Sequence, residues 1–362
     1  MALEIFLLNN KKKIHFVHYD AGPGGMEVLM PVIIKNLPGY DFSAYLLRSE
    51  KPGVNVYHGL NIPVQYGDDH NRKAYIKAFK YGRKYRNEIF HVYNIGPVFL
   101  LLFQLAGVKN IIYSIHGTVY WKSPLKKYLF KTIWKLVLNK RIVFIANSEH
   151  SRQEFYTKIS NRYSMRVLYN PFDENRFKGN DTVKMNNEIN IVYTGRLANG
   201  KNLYKWIDIA LKVHQQFPAI VFNIYGEGVL KNDLAGYINK HNADNFIHLR
   251  GFRKDVEEIY READLLMFLS EYESFGNVVV ESILSSTPVI ASPIPAMKEI
   301  FRDYPQFLLG DEIIKWDIEV NEKIAHLETL KALAVKASKN FADKFGIKQH
   351  MNALTEIYEN AN

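Results

Sequence analysis

Short apolar runs, rich in β-branched and aromatic residues, recur along the whole chain with segments of helix length between them. The runs of the first half are KIHFVHYD, VNVYHGL, EIFHVYNI, NIIYSIHG, RIVFIANS and SMRVLYN, and those of the second half are NINIVYTG, AIVFNIYG, NFIHLRG, ADLLMFLS and TPVIAS. Strands that are apolar on both faces lie in parallel sheets, where crossover helices cover both sides. The alternation therefore predicts an α/β fold with two parallel sheets.

The length of the chain also indicates two domains, because 362 residues exceed what a single hydrophobic core usually holds. Between the two sets of runs lies the segment 170–188, NPFDENRFKGNDTVKMNNE, which is polar and rich in turn-forming residues. Such a composition is typical of an interdomain linker. We expect Rossmann-like domains at residues 1–175 and 186–342, followed by a terminal segment at 343–362.

Composition excludes several classes of protein. The chain has no cysteine, which rules out a disulfide framework, zinc ribbons, iron–sulfur ligation and a cysteine nucleophile, and which fits a reducing compartment. No set of histidines and carboxylates has metal-ligand spacing, so we expect no metal requirement. The longest apolar stretch, at 97–108, is too short to cross a membrane as a helix.

The charge is distributed unevenly between the two halves. Residues 1–170 contain 25 basic and 10 acidic side chains, a formal charge of +15, whereas residues 171–362 contain 22 basic and 27 acidic side chains, a charge of −5. An excess of this size predicts a polyanionic partner for the first half, either nucleic acid or an anionic membrane surface.

Two segments of the first half combine lysines and apolar residues at helical spacing. The lysine stripes are Lys73, Lys77, Lys80 and Lys84 in one segment and Lys127, Lys131 and Lys135 in the other. The second stripes are Tyr75, Phe79, Gly82 and Tyr85 in one and Leu125, Leu129, Thr132 and Leu136 in the other. The pattern suits anionic lipid headgroups. The alternative is that the apolar stripes pack on the sheet and the lysines are solvated.

Several loops that follow predicted strands carry chemistry. A glycine cluster that includes Gly24 and Gly25 precedes a helix, where a phosphate is favoured. Arg196 and Lys201 flank the loop at another helix start, so both can reach a polyanion. Glu273 and Glu281 lie before and inside a third helix, around Phe275, Gly276 and Asn277, and can bind separate hydroxyl groups of one ligand. His116 follows a strand on the same ligand side.

In order along the chain, these pieces resemble a retaining GT-B glycosyltransferase of glycosyltransferase family 4. The motifs are GPGGME, SIHGT, IANSEHSRQEF, VLYNPFDENRF, TGRLANGKNL, IYGEGVLKNDL, IHLRGF, EYESFGNVVVESILSSTPVIAS and KFGIKQHMNALTEIYE. The resemblance covers almost the whole chain. It implies two Rossmann-like domains with a cleft between them, a nucleotide-sugar site in the second, and a terminal helix that packs back on the first.

The resemblance also implies a role for each site residue. Gly24 and Gly25 match the loop that approaches the donor diphosphate, and Arg196 and Lys201 match the basic pair that grips it. Phe252 falls where the family contacts the base, and Glu281 matches the carboxylate that binds the ribose. The donor sugar is held by Glu273 and by the amides of Phe275, Gly276 and Asn277, with His116 beside it. Four residues depart from the pattern: Ser274, Ser286 and Asn202 stand where the family often has glycine, and Ser282 stands where it often has alanine.

The expected activity is metal-independent, retaining transfer of a hexose or N-acetylhexosamine to a glycan or lipid-linked acceptor in cell-surface polysaccharide or glycolipid synthesis. A UDP-sugar is the first choice of donor and GDP-mannose the second. The enzyme is expected to be cytoplasmic, peripheral on the inner face of the membrane, and bound to anionic lipid through its basic domain. The alternatives are a nucleotide-sugar epimerase, a basic nucleic-acid-binding protein, for which we find no recognition motif, and a catalytically silent scaffold.

Overall fold

The computed structural model of the chain describes residues 11–22, 26–27, 29–50, 55–117, 124–179 and 188–361. The chain forms two compact units, each with its own parallel sheet. The first domain contains Met1–Pro171 and Ile347–Asn362, and the second contains Phe172–Gly346. The predicted α/β class with two parallel sheets is confirmed.

The first domain has a seven-stranded sheet in the order β3-β2-β1-β4-β5-β6-β7. Its strands are β1 (Lys13–His18), β2 (Asp41–Leu46), β3 (Val64–Tyr66), β4 (Ile89–Tyr93), β5 (Asn110–Ile115), β6 (Ile142–Ala146) and β7 (Met165–Val167). Its helices are α1 (Leu29–Asn36), α2 (Asn71–Lys84), α3 (Pro97–Leu105), α4 (Pro124–Val137), α5 (Glu149–Lys158) and the terminal α13 (Ile347–Asn360). β4 is buried along its whole length, as expected for a strand covered on both faces.

One strand prediction in this domain is wrong. The run VNVYHGL forms turns where the structure describes it, because the Asn55 side chain accepts a hydrogen bond from the Tyr57 amide at 2.9 Å and Gly59 has a φ of +79°. The strand at that place in the sheet is β2, which contains a polar serine and starts with an exposed aspartate. Its weaker apolar pattern explains why it was missed.

The second domain has a five-stranded sheet in the order β10-β9-β8-β11-β12. Its strands are β8 (Ile189–Thr194), β9 (Ile220–Tyr225), β10 (Ile247–Gly251), β11 (Leu265–Phe268) and β12 (Val289–Ala291). Its helices are α6 (Leu203–Gln216), α7 (Lys231–Lys240), α8 (Val256–Glu262), α9 (Asn277–Leu284), α10 (Pro295–Ile300), α11 (Trp316–Ala325) and α12 (Leu327–Phe345). The domain thus ends at Gly346, and residues 343–345 belong to α12 rather than to the terminal helix.

The terminal helix α13 is part of the first domain's core. Met351, Leu354 and Tyr358 pack in the same buried cluster as Phe16 of β1. The Tyr358 hydroxyl lies 2.8 Å from Nδ1 of the buried His91. Buried polar groups need such partners, so this contact fixes the position of the helix.

The buried faces of α2 and α4 differ from the apolar stripes of the sequence. Helix α2 buries small residues, Ala74, Ala78 and Gly82, together with Tyr81, whereas Phe79 is exposed. A Cβ on Gly82 would approach Ala106 and Phe103 to 3.0 Å, which shows how closely the backbone packs there. Helix α4 buries Trp134 and Val137, so that Leu129 and Leu136 are exposed to solvent. Among the described residues, no helix is long and apolar enough to cross a membrane.

Candidate active site

The second sheet changes its direction of growth at β8. From β8 the chain builds outward through β9 and β10, and it then crosses back to place β11 on the other side of β8. In open parallel sheets, ligands bind beyond the carboxyl ends of the strands at such a switch point. The loops that leave β8 and β11 there, residues 195–202 and 269–276, are the two that the sequence predicts to hold the donor.

Glycines let the loops after β8, β9 and β10 pack backbone against backbone. Gly195 and Gly226 have φ angles of +146° and +148°, and a Cβ on Gly226 would overlap the carbonyl oxygen of Gly195. The Gly195 amide donates to the Tyr225 carbonyl at 3.0 Å, and the Gly226 amide donates to the Gly251 carbonyl at 2.8 Å. The edge of the site is therefore fixed by backbone hydrogen bonds. Gly226 lies in the IYGEG motif, to which the sequence interpretation gives no site residue.

Arg196 and Lys201 both lie in the loop after β8. The Arg196 side chain is exposed, and its guanidinium makes no hydrogen bond or ion pair within the part of the chain that the structure describes. Lys201 forms an ion pair with Glu273, and its ammonium lies 5.9 Å from the centre of the Phe268 ring. The next residue, Asn202, has a φ of +56°, which explains why glycine is common at this position.

Helix α9 begins beside this ion pair. Gly276 precedes the helix with a φ of +107°, and a Cβ there would overlap the Met297 side chain. The Phe275 ring is buried between Phe172 and Phe345, at centroid distances of 6.2 and 5.6 Å. The packing of Phe275 fixes the helix start, where the backbone amides and the helix dipole favour negative charge.

Glu281 lies one turn further along α9 and faces the end of β8. Its carboxylate accepts a hydrogen bond from the Tyr260 hydroxyl at 3.0 Å, and that hydroxyl lies 2.9 Å from Oγ1 of Thr194. Burial raises the pKa of the Glu281 carboxyl to about 7, although the Tyr260 hydrogen bond and the Arg176 guanidinium act in the opposite direction. Tyr260 and Arg176 were not predicted as site residues. Tyr260 lies within α8, and Arg176 lies in the VLYNPFDENRF motif, to which the sequence interpretation gives no site residue.

Phe252 follows β10, which is separated from β11 by two strands, β9 and β8. Its side chain is 57% exposed, and it comes directly after Gly251, which has a φ of +73°. An exposed aromatic ring at this edge is available for stacking on a planar ligand group. Phe252 therefore lies on the β10 side of the sheet, away from the Lys201–Glu273 pair, and it is the residue predicted to contact the base.

His116 belongs to the first domain, where it follows β5. Its backbone amide donates to Oδ1 of Asn94 at 3.2 Å, and its ring lies 5.5 Å from that of Tyr93. Burial, together with the nearby His350, lowers the pKa of the His116 imidazole to about 3, so the ring is neutral at neutral pH. Its Nδ1 atom is buried and has no hydrogen-bond partner among the described residues. Gly24 and Gly25 lie outside the described residues.

Within the described ranges, no group of three or more histidine, aspartate or glutamate side chains is arranged to hold a metal ion. The second domain's switch point instead brings together two cations, two carboxylates and a helix N-terminus. Residues 174–344, which contain all of these groups, match the family of glycosyl transferases group 1. The second domain belongs to this family.

The similarity of this glycosyltransferase to known proteins extends beyond the second domain. The O-antigen biosynthesis glycosyltransferase WclY of Escherichia coli is 26% identical over 306 residues, which cover 80% of this chain and 82% of WclY. The Escherichia coli UDP-Gal:alpha-D-GlcNAc-diphosphoundecaprenol alpha-1,3-galactosyltransferase is 23% identical over 310 residues, 79% of each chain. The prediction of a glycosyltransferase is confirmed, and these matches give no support to an epimerase or a nucleic-acid-binding protein.

A solved structure shows the same fold for the glycosyltransferase chain as a whole. The crystal structure of Anabaena HepE in complex with UDP and glucose matches with a TM-score of 0.80 at 19% sequence identity, covering 96% of this chain and 100% of HepE. The predicted GT-B fold is confirmed by this likeness.

Proposed function

We propose that the chain is a metal-independent, retaining glycosyltransferase that moves a hexose or N-acetylhexosamine from a nucleotide diphosphate sugar to a glycan or lipid-linked acceptor. The observation that carries the proposal is the carboxyl edge of the adjacent strands β8 and β11. The loop with Arg196 and Lys201 leaves β8 there, the loop before α9 leaves β11, and the Lys201–Glu273 ion pair joins the two loops. A UDP-sugar is the preferred donor and GDP-mannose the second. The UDP-containing names of one relative and of HepE support this order.

The chemistry follows from where charge develops. The bond from the anomeric carbon to the phosphate oxygen breaks, and negative charge grows on the leaving nucleoside diphosphate. Arg196 has no partner to give up among the described residues, whereas Lys201 must exchange part of its pairing with Glu273 for the phosphate. These cations and the N-terminal end of α9 stabilise the leaving group without a bound metal.

The acceptor hydroxyl attacks on the face from which the diphosphate leaves, so the new bond keeps the anomeric configuration. The hydroxyl proton passes to a phosphate oxygen of the leaving group, and no covalent enzyme intermediate is needed. Glu273, released from Lys201, accepts hydrogen bonds from hydroxyls of the donor sugar with the amides of Phe275, Gly276 and Asn277 beside it. The neutral His116 of the first domain can donate or accept one hydrogen bond but supplies no charge.

The nucleoside is held by the remaining groups of the second domain. Glu281 binds the ribose hydroxyls, and ribose hydrogen bonds to its carboxylate would join the one from Tyr260. Phe252 lies against the base. In the first domain, Gly24 and Gly25 approach the diphosphate, and the rest of that domain faces the acceptor.

A nucleotide screen tests the donor assignment. Thermal unfolding of the full chain is measured with UDP, GDP and ADP, because a ligand that binds only the folded state raises its stability in proportion to occupancy. We expect UDP to raise the Tm most. A larger shift with GDP would make GDP-mannose the donor, and no shift with any of the three would contradict the transferase site.

The first domain also has a surface that suits an anionic membrane, which we call the basic–apolar surface. It is formed by α2, α3 and α4, of which α3 packs against the other two. Its exposed apolar residues are Ile76, Phe79, Leu105, Leu129 and Leu136. Its basic residues are Lys73, Lys77, Lys80, Lys84, Lys131 and Lys135. Leu129 and Leu136 are 54% and 70% exposed, so the apolar stripe of α4 that contains them does not pack on the sheet.

We propose that the basic–apolar surface docks on the inner face of the membrane and so brings the enzyme to a lipid-linked acceptor. Each lysine near an anionic surface contributes about 1 kcal/mol. Co-sedimentation with phosphatidylglycerol-containing vesicles should fall when Lys73, Lys77, Lys80 and Lys84 are all changed to glutamate. The matched control changes four exposed lysines of the second domain, Lys240, Lys254, Lys336 and Lys339. Equal binding to neutral vesicles, or an equal loss in both variants, would contradict the docking.

A further inference from the structure

The first domain contains a cavity of about 480 Å³ that the proposed reaction does not use. It lies at the amino ends of β1, β2 and β3, beside the end of α2. The site residue His116 follows the carboxyl end of the same sheet, and a six-residue strand such as β1 separates the two edges by about 17 Å. The cavity volume falls within the range of small-molecule pockets, about 300–1,000 Å³.

The floor of the cavity is a chain of hydrogen bonds centred on His15. Nε2 of His15 contacts the Glu88 carboxylate, which can only accept, so the proton of the neutral ring is on Nε2. Nδ1 then has one lone pair, and both the Tyr81 hydroxyl, at 2.6 Å, and the Ser43 hydroxyl, at 2.7 Å, lie within reach of it. Only one of them can donate to Nδ1, and the Ser43 hydroxyl is also hydrogen-bonded to the Tyr81 side chain. When a ligand is bound, the Ser43 hydroxyl can turn from Tyr81 to a ligand oxygen.

Packing makes this floor rigid. The His15 ring is stacked between Tyr85 and Phe90, at centroid distances of 4.7 and 5.0 Å. Tyr81 in turn stacks on Tyr45 at 4.2 Å. Side chains held in this way lose little freedom when a ligand binds, so the floor is organised in advance for binding.

The walls offer groups that bind hydroxyls and groups that cover C–H surface. Asp41 and Asn61 have no side-chain hydrogen bond within the described residues, and Gln65 donates only a long one, 3.4 Å, to Tyr85. The ring of Tyr40 and the side chains of Ile62 and Pro63 form the apolar part. The lining contains two carboxylates, Asp41 and Glu88, and one lysine, Lys13, so its acidic groups outnumber its basic one and disfavour a phosphate or a carboxylate as the occupant.

We propose that this cavity is a second saccharide site, which takes one pyranose unit of a glycan. Carboxylates and amides bind the ring hydroxyls, the hydroxyl of Ser43 or Tyr81 donates to a ring or hydroxyl oxygen, and Tyr40 and Tyr85 cover the C–H face. The choice of a saccharide rests on the proposed transferase function. The position of the cavity does not, because all its lining residues lie in the first domain, around the amino edge of the sheet.

The test uses the full chain and methyl glycosides of glucose, galactose and N-acetylglucosamine as probes, with binding followed by saturation-transfer NMR. At least one glycoside should bind, and Glu88→Gln and Asp41→Asn should each weaken its binding by about tenfold. The matched control is Glu154→Gln, which removes a carboxylate from an ion pair on α5 of the same domain. Asn61→Ala, on the rim, replaces Glu88→Gln if that variant does not fold.

A crossed pair of measurements separates this site from the donor site. The cavity variants should keep the wild-type response to UDP, and Lys201→Ala should lose the UDP response but keep glycoside binding. If the wild type binds a glycoside but shows no response to UDP, the proposed transferase function is contradicted and the saccharide site still stands. The inference is overturned if no glycoside binds, if the cavity variants bind as well as the Glu154→Gln control, or if methylammonium ions bind there in place of sugars.

Discussion

The two sheets share a strand order around their switch points but place different side chains at their carboxyl edges. In the first domain, β1 ends in His18 and His116 follows β5. Both rings, which we call the neutral edge, are uncharged because burial lowers their pKa to about 4 and about 3, although Asp20 and Arg48 follow β1 and β2 nearby. In the second domain, the corresponding edge carries Arg196, Lys201 and Glu273. The comparison teaches that the doubly wound sheet supplies only the crevice, and that the loop side chains decide whether it takes a charged ligand.

A neutral edge and a charged edge suit different parts of a glycosyl transfer. Cations stabilise the diphosphate that leaves, whereas uncharged histidines can form hydrogen bonds with hydroxyl groups of a sugar. Burial keeps the pKa of His18 low, although Asp20 acts in the opposite direction, and the Nε2 atom of the ring lies 2.5 Å from the Tyr57 hydroxyl. Substitutions at each edge test this division between charged and neutral groups.

The largest effect is expected from Lys201→Ala in the charged edge. Loss of one group that stabilises developing negative charge lowers the transfer rate by about 10²- to 10³-fold. The control is Lys212→Ala, which breaks an ion pair with Asp317 near the other end of α6. Steady-state transfer assays should show a large loss in the first variant and none in the second, and equal rates would contradict the role of Lys201.

Acid should destabilise the first domain before the second. Burial holds the pKa of His18 and His350 at about 4 and that of His116 at about 3, below the ordinary 6.5, so the unfolded chain binds more protons as the pH falls. The contribution of the neutral histidines to the free energy of unfolding is fully present above pH 6.5 and is lost as the pH falls from 6.5 to about 4. Hydrogen exchange at pH 5 should increase more in β1, β4 and β5 than in β8, β9 and β11. An equal increase of hydrogen exchange in the two sheets would contradict the earlier loss of stability in the first domain.

Glu281 should show the opposite pH dependence within the charged edge. Its pKa is raised from 4.5 to about 7, so the folded state binds the extra proton, and the contribution to stability falls as the pH rises through this window. In Glu281→Gln, this fall should disappear from denaturant titrations between pH 5 and 8, and UDP binding should weaken by about tenfold. An unchanged pH profile would show that the carboxyl is not held protonated.

The smallest effect is expected from His116→Gln in the neutral edge. An amide keeps one donor and one acceptor, so transfer should fall by less than about tenfold. Because the His116 pKa is about 3, the pH dependence of kcat/KM between pH 5 and 9 should be the same in both proteins. If the wild-type pH–rate profile has an inflection near pH 6 that is absent in the variant, the His116 imidazole titrates in this range and the neutral state of this edge is contradicted.

Much of the fold and of the donor site could be predicted because the signals are local. Apolar runs of strand length mark β4, β5 and β8 without reference to other parts of the chain, and a glycine before a helix marks the start of α9. The loop that contains Arg196 and Lys201 follows directly from the end of β8. Ser286 could also be recognised as a departure, and its φ of +61° explains why glycine is common there.

What could not be predicted depends on residues far apart in the chain. The Lys201–Glu273 ion pair joins residues 72 positions apart, and the Tyr260–Glu281 contact requires α8 and α9 to pack side by side. The side of α4 that packs inward also could not be predicted, because its buried residues, Trp134 and Val137, are not marked by the Leu129–Leu136 stripe, which is exposed. The cavity around His15 draws on five elements, β1, α1, β2, β3 and α2, and on the loops next to them.

The most direct test of the central claim is amide hydrogen exchange of the full chain with and without saturating UDP, in the wild type and in Lys201→Ala. The account predicts protection by UDP in residues 195–202 and 269–281 of the second domain, at the ends of β8 and β11, and its loss in the variant. Protection that is absent from both segments, or that persists unchanged in Lys201→Ala, would contradict the assignment of the diphosphate to this edge.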